Sequence, residues 1–185
     1  MENGFKLLEK LKEEFKKVNS KDSVTQIEGA ITLEIIEQTE ERLNFKFPLD
    51  FREYLYKHGR FAIGDLKNAD HMAFKILPLD QILTVSEILR EQYDCDTNTE
   101  VADNIGIESM YINELDKLII FGQLGYEDYY GFDIRTQDLT TLNCSVYGIL
   151  LEDCEIERFS KGKIKKAEGN EFTKLLKRLI ERYTN

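Results

Sequence analysis

The chain is predicted to fold as an α+β protein with a largely antiparallel central sheet, flanked by N-terminal helices and a C-terminal helix. Apolar residues recur at helical spacing near both ends, and the middle holds the alternating or continuous apolar runs typical of strands. Because the strands do not alternate regularly with helices, a doubly wound parallel sheet is disfavoured. The length of 185 residues suits one domain, 1–185, in which 1–30 is a helix and its lead-in.

Three helices are predicted before residue 60. The second extends from about Leu33 to Leu43 with Thr32 as its N-cap, and the third follows Pro48 and stops at Gly59. The first has a single apolar stripe with spacings of three and four, formed by Phe5, Leu8, Leu11, Phe15 and Val18. The buried faces of the other two are expected to contain Ile36, Leu43, Phe51, Tyr54 and Leu55.

The middle of the chain is predicted to be rich in strands. Residues 118–121 form a continuous apolar run, and Tyr130, Phe132 and Ile134 alternate with other residues, so a hairpin with its turn at 125–128 is expected. Other strands are predicted at 72–77, 146–151 and 155–159, with a short helix through 82–89. The last helix follows Asn170, and its apolar face contains Phe172, Leu175, Leu176, Leu179 and Tyr183.

Negative charge is concentrated in one part of the chain. The formal net charge is −10, yet residues 94–157 contain 15 acids and two bases, while 158–185 contain 3 acids and 9 bases. The stretch 94–116 has seven acids and no base, and is predicted to be an acidic loop or insertion. The negative electrostatic potential of such a stretch disfavours direct contact with nucleic acid and favours a basic protein partner.

Residue types that support catalysis or metal binding are sparse. Only two histidines and three widely spaced cysteines occur, with no C-x-x-C pair, so neither a metal site, a cofactor nor a catalytic residue is predicted. The start of the chain lacks the pattern of a signal peptide, and no apolar run suits a membrane span, so the expected location is the cytoplasm. The expected oligomeric state is a monomer or a homodimer.

Candidate partner-binding residues are acids and tyrosines of the negative stretch. Tyrosines beside acids at a turn are typical of protein-binding surfaces, because they offer contact area and a hydrogen-bonding hydroxyl. The candidates are Asp94, Asp96, Glu100, Asp103, Glu108, Tyr126, Glu127, Asp128, Tyr129, Glu152, Asp153 and Glu155.

Three segments of the chain resemble the SUKH superfamily, which includes fungal cell-wall synthesis regulators and bacterial immunity proteins. The first is ITLEIIEQTEERLNFKFPLDFREYLYKHG at 31–59, where Glu40-Glu41-Arg42-Leu43 and Phe47-Pro48 match the family pattern. The others are LIIFGQLGYEDYYGFDIRT at 118–136 and EFTKLLKRLI at 171–180. The resemblance implies a non-catalytic α+β domain that in bacteria binds and neutralises a cognate toxin, often a nuclease.

Three functions therefore remain open. The leading hypothesis is an immunity protein that occludes a toxin domain. The second is a regulatory interaction module of the cell-wall regulator kind, which a gene without a neighbouring toxin would favour. The third is a carboxylate-dependent hydrolase, which predicts that Glu127 or Asp128 lies in a cleft with a raised pKa.

Overall fold

Within the described residues, six strands form one antiparallel sheet in which each strand pairs with the next along the chain. The computed structural model describes residues 23–64, 74–105, 113–125, 128–140, 142–150 and 172–184, together with residues 6, 9, 10, 12 and 13. The strands are β1 (Ser23–Glu28), β2 (Arg60–Gly64), β3 (Phe74–Ile76), β4 (Leu118–Leu124), β5 (Asp128–Asp133) and β6 (Ser145–Leu150). The predicted α+β class with an antiparallel sheet is confirmed.

Two of the named helices lie between β1 and β2, two between β3 and β4, and one after β6. They are α1 (Leu33–Arg42), α2 (Leu49–His58), α3 (Val85–Tyr93), α4 (Asn98–Ile105) and α5 (Phe172–Thr184), with short 3-10 turns at Leu79–Gln81 and Ile134–Thr136. The Thr32 hydroxyl accepts a hydrogen bond from the Ile35 N–H, as predicted for the N-cap of α1.

Gly59 ends α2 in a conformation that favours glycine. Its φ angle is +73°, and a Cβ atom there would collide with the backbone of Glu28 and Gly29. The predicted stop at Gly59 is confirmed. Directly after it the chain enters β2, which pairs with β1, so the glycine also sets the turn from α2 into the sheet.

Two strands were not predicted, and both lie at one side of the sheet. β1 falls within the segment expected to be only a helix and its lead-in, and β2 follows Gly59 directly. The pair is antiparallel, with a register shift between Gln26 and Glu28. A bulge on an outer strand interrupts its regular row of hydrogen-bonding groups, which weakens pairing with another chain.

The stretch 94–116 was predicted to be an acidic loop or insertion, and the loop is wrong over 98–105, because these residues form α4. Val101 and Ala102 of this helix are buried, at 0% and 1% exposure, so the helix is attached to the core although most of its surface is polar. Residues 113–115 are helical as well, and residues 106–112 lie outside the described part.

Several other predictions fall on residues outside the described part. They are the apolar stripe of the first helix, the strand at 155–159, the start of the strand at 72–77 and the Asn170 cap. Residues 6, 9, 10, 12 and 13 are helical, in agreement with a helix there. The last helix is confirmed over 172–184, with four predicted apolar residues buried: Phe172, Leu175, Leu176 and Leu179.

The core contains buried side chains of the sheet and of all five named helices. Phe51 of α2 packs on Phe121 of β4, Phe132 of β5 and Phe172 of α5, and Phe121 and Phe132 stack with ring centroids 4.1 Å apart. Aromatic rings at these separations add directional contacts to the area that they bury. The aromatic cluster therefore joins the central hairpin to helices from both halves of the sequence.

Asp50 connects α2 to the start of α5. One carboxylate oxygen accepts hydrogen bonds from the Thr173 N–H at 2.8 Å and from its hydroxyl at 3.0 Å, so Asp50 acts as an N-cap from a distant part of the chain. Replacing Asp50 with alanine is expected to lower the free energy of unfolding by about 1–2 kcal/mol. Chemical denaturation measures this loss.

Asparagine at position 50 is the matched control for this cap. It keeps one oxygen that can accept from Thr173, but it loses the charge and the second oxygen, which accepts from the Phe51 N–H at 2.9 Å. Asp50→Asn should therefore be destabilised less than Asp50→Ala. An alanine variant as stable as the natural protein would show that the cap contributes nothing to stability.

Candidate functional site

Exposed carboxylates cluster where α3 meets α4. Glu91, Asp94, Asp96, Glu100 and Asp103 are exposed there, and we call these five residues the acidic corner. Four of them are candidates from the sequence, and Glu91 is an addition. No Lys, Arg or His occurs between Arg90 and Lys117, so the local sequence supplies no cation to neutralise them.

Two capping boxes define the helices that present the acidic corner. Thr84 is the N-cap of α3, and its hydroxyl accepts from the Glu87 N–H while the Glu87 carboxylate accepts from the Thr84 N–H. At the start of α4, the Glu100 N–H donates to the Thr97 hydroxyl at 3.2 Å, and the Glu100 carboxylate accepts from the Thr97 N–H at 2.9 Å. The turn between the helices is therefore held by its own side chains.

Glu100 has a structural function in addition to its charge. The backbone N–H groups of Thr97 and Asp96 hold the pKa of the Glu100 carboxyl below its ordinary value, because they stabilise the ionised form. Asp94 also has a local function, since it ends α3 in the left-handed conformation with φ of 53°. Aspartate and asparagine adopt this conformation more readily than most residues. Asp96 and Asp103 are thus the candidates whose replacement disturbs the turn least.

A network of side-chain hydrogen bonds connects the acidic corner to the sheet. The Asn98 side chain accepts from Arg90 at 2.9 Å and donates to Asp116 at 3.0 Å. The other Asp116 oxygen accepts from the hydroxyl of Ser86, which is fully buried. Asp116 lies just before β4 and Ser86 in the first turn of α3, so these bonds fix both helices relative to the central strands.

Replacing Asp116 with alanine is expected to lower the free energy of unfolding by about 1–2 kcal/mol, because the buried Ser86 hydroxyl and the Asn98 amide each lose an acceptor. Denaturation of this variant measures the loss, with Asp103→Ala as a control that should change stability by less than about 0.5 kcal/mol. If Asp116→Ala behaves like the control, the network does not hold the corner.

An acidic cavity of about 380 Å³ opens beside the turn between α3 and α4. Its walls combine four carboxylates with one guanidinium, an apolar side chain and a thiol: Glu87, Glu91, Asp94, Asp96, Arg90, Leu83 and Cys95. The Arg90 guanidinium donates to the Asn98 amide, and no ion pair among the described residues includes Arg90 or a carboxylate of the acidic corner. A lysine or arginine side chain has the charge that complements such a cavity.

The other sequence candidates are not gathered at the acidic corner. Tyr129 is half-buried on β5, where it pairs with Gln123, and Asp128 pairs with Leu124 at the end of β4. At the acidic corner, the Asn98 amide at the start of α4 instead donates to Asp116, two residues before β4. The corner and the β4–β5 turn therefore lie towards opposite ends of β4.

Six of the twelve candidates belong to segments that the structure does not describe. Glu108, Tyr126, Glu127, Glu152, Asp153 and Glu155 lie outside the described residues, and so does the side chain of Asp128. The hydrolase hypothesis rests on Glu127 and Asp128, so it stays a prediction.

The structure describes two cysteines, Cys95 and Cys144, and one histidine, His58. Cys95 is half-buried and Cys144 is buried, and both are free. Burial raises the pKa of Cys144 to about 12, and the nearby carboxylates of Asp50 and Asp133 add to this rise. His58 packs against the ring of Tyr54, and burial lowers its pKa, as does Lys57.

Within the described residues, no group of three or more His, Cys, Asp or Glu side chains is arranged to hold a metal ion. Among the helices described, none is long and apolar enough to cross a membrane.

A family model matches most of the chain, over residues 30–177. The chain belongs to the SMI1 / KNR4 family (SUKH-1). This confirms the superfamily that the segments at 31–59 and 118–136 resemble, and the match includes the acidic corner, the central hairpin and the first turns of α5. Membership of the SUKH-1 family supports a non-catalytic SUKH-type domain. No curated protein matches the chain.

Proposed function

We propose that this chain is a cytoplasmic immunity protein that binds a cognate bacterial toxin, such as a nuclease, and neutralises it by occluding its active site. The observation that supports this function best is the acidic corner, whose five carboxylates are exposed on α3, on α4 and on the turn between them. Membership of the SUKH-1 family supports a protein-binding domain as the setting for this surface.

Electrostatic complementarity explains why an acidic surface suits such a partner. A nuclease needs a basic cleft to bind the phosphates of its substrate, and a negative surface attracts that cleft over several ångströms. Exposed charges mainly raise the rate of association, while close-packed apolar and aromatic contacts supply most of the affinity. In this proposal the acidic corner steers the toxin, and its cavity receives a lysine or arginine side chain from the toxin.

The double variant Asp96→Lys/Asp103→Lys is expected to slow association with the toxin by about tenfold at low salt, and to flatten the salt dependence of the rate. Both side chains are exposed, and neither holds the turn as Asp94 and Glu100 do. The toxin to use is the product of the neighbouring gene. Stopped-flow mixing or surface plasmon resonance over a range of salt concentrations gives the rates.

The matched control is Glu34→Lys/Glu41→Lys on α1, which changes the net charge by the same amount at two exposed positions. If both double variants slow association equally, the effect reflects total charge and the acidic corner is not the contact surface. If the natural chain binds no toxin at low salt and does not protect cells that express one, the immunity function is wrong. A solitary gene whose product binds a housekeeping enzyme would instead support a regulatory module.

A further inference from the structure

We draw no further inference here: the strongest candidate, the acidic cavity beside the turn that follows α3, belongs to the partner surface already proposed, and no buried side chain lacking a hydrogen-bond partner in the described part of the chain points to another ligand there.

Discussion

Replacing Phe51 with alanine is expected to lower the free energy of unfolding by about 3–5 kcal/mol, the range for removing a fully buried aromatic ring. The side chain has no exposed area, and its neighbours come from β4, β5, α5 and the segment before α2. Because each neighbouring ring is held by further contacts, the cavity cannot collapse completely. The ring centroids nearest to Phe51 lie 4.9–5.3 Å away and belong to Phe172, Phe47, Phe121 and Phe132.

Leu49→Ala is the matched control for Phe51→Ala. Leu49 precedes Phe51 by two residues on α2 but is 53% exposed, so its truncation should change stability by less than about 1 kcal/mol. Urea denaturation of both variants, followed by circular dichroism, gives the two values. If the loss for Phe51→Ala does not exceed the loss for Leu49→Ala, the aromatic cluster is not the centre of the core.

The elements predicted correctly are those in which one local pattern is strong. The apolar run 118–121 lies in β4, as predicted. Tyr130 and Phe132 lie in β5, as predicted, but Ile134 begins a 3-10 turn. The expected alternation in burial along β5 is wrong, because Asp133 is buried beside Phe132. Thr32 marks a helix end through a side-chain hydrogen bond and Gly59 through a positive φ angle, and both are effects of single residues. Such signals do not depend on distant parts of the chain.

β1 and β2 could not be predicted in the same way. The sequence of β1, Ser-Val-Thr-Gln-Ile-Glu, contains two apolar residues, and one of them, Ile27, is 44% exposed at the bulge. β2 has only five residues and follows the C-terminal glycine of a helix directly. The two strands pair with each other, and β2 also pairs with β3. These residues therefore form strands because of hydrogen bonding within the sheet, which a local sequence pattern does not reveal.

α4 was missed because its composition is polar and acidic, although a local signal exists. Thr97 and Glu100 are spaced as in a capping box and stand immediately before Val101, the first buried residue of the helix. The same spacing of Thr84 and Glu87 begins α3. Negative charge alone led to the loop prediction, whereas the capping residues identify the start of a helix.

The negative charge of the candidate site was predicted from the sequence, but the arrangement of its residues was not. The run without bases after Arg90 shows that negative charge accumulates there. It cannot show that Asn98 binds Arg90, or that Tyr129 lies away from the acidic corner, since both depend on how the helices and strands pack. The net charge of a segment can be summed from its sequence, whereas the shape of a binding surface depends on the tertiary structure.

Glu40→Ala is expected to lower the free energy of unfolding by about 2–4 kcal/mol. The Glu40 side chain is fully buried, and it accepts hydrogen bonds from the Phe47 N–H at 3.0 Å, from Arg52 at 3.0 Å and from Lys46 at 2.9 Å. Alanine leaves the Phe47 N–H without this acceptor and removes the charge that faces Arg52. Lys46 is 51% exposed, so water can replace its partner and its share of the loss is small.

The adjacent Glu41→Ala provides the control, because Glu41 is exposed and its truncation should change stability by less than about 0.5 kcal/mol. The two glutamates look alike in sequence, but Glu40 follows the buried Ile36 by four residues and therefore lies on the inner face of α1. Denaturation of Glu40→Gln, which keeps one acceptor, should fall between the two alanine variants. If Glu40→Ala is as stable as Glu41→Ala, the buried carboxylate only offsets its own desolvation, and the contact between α1 and α2 depends on apolar packing.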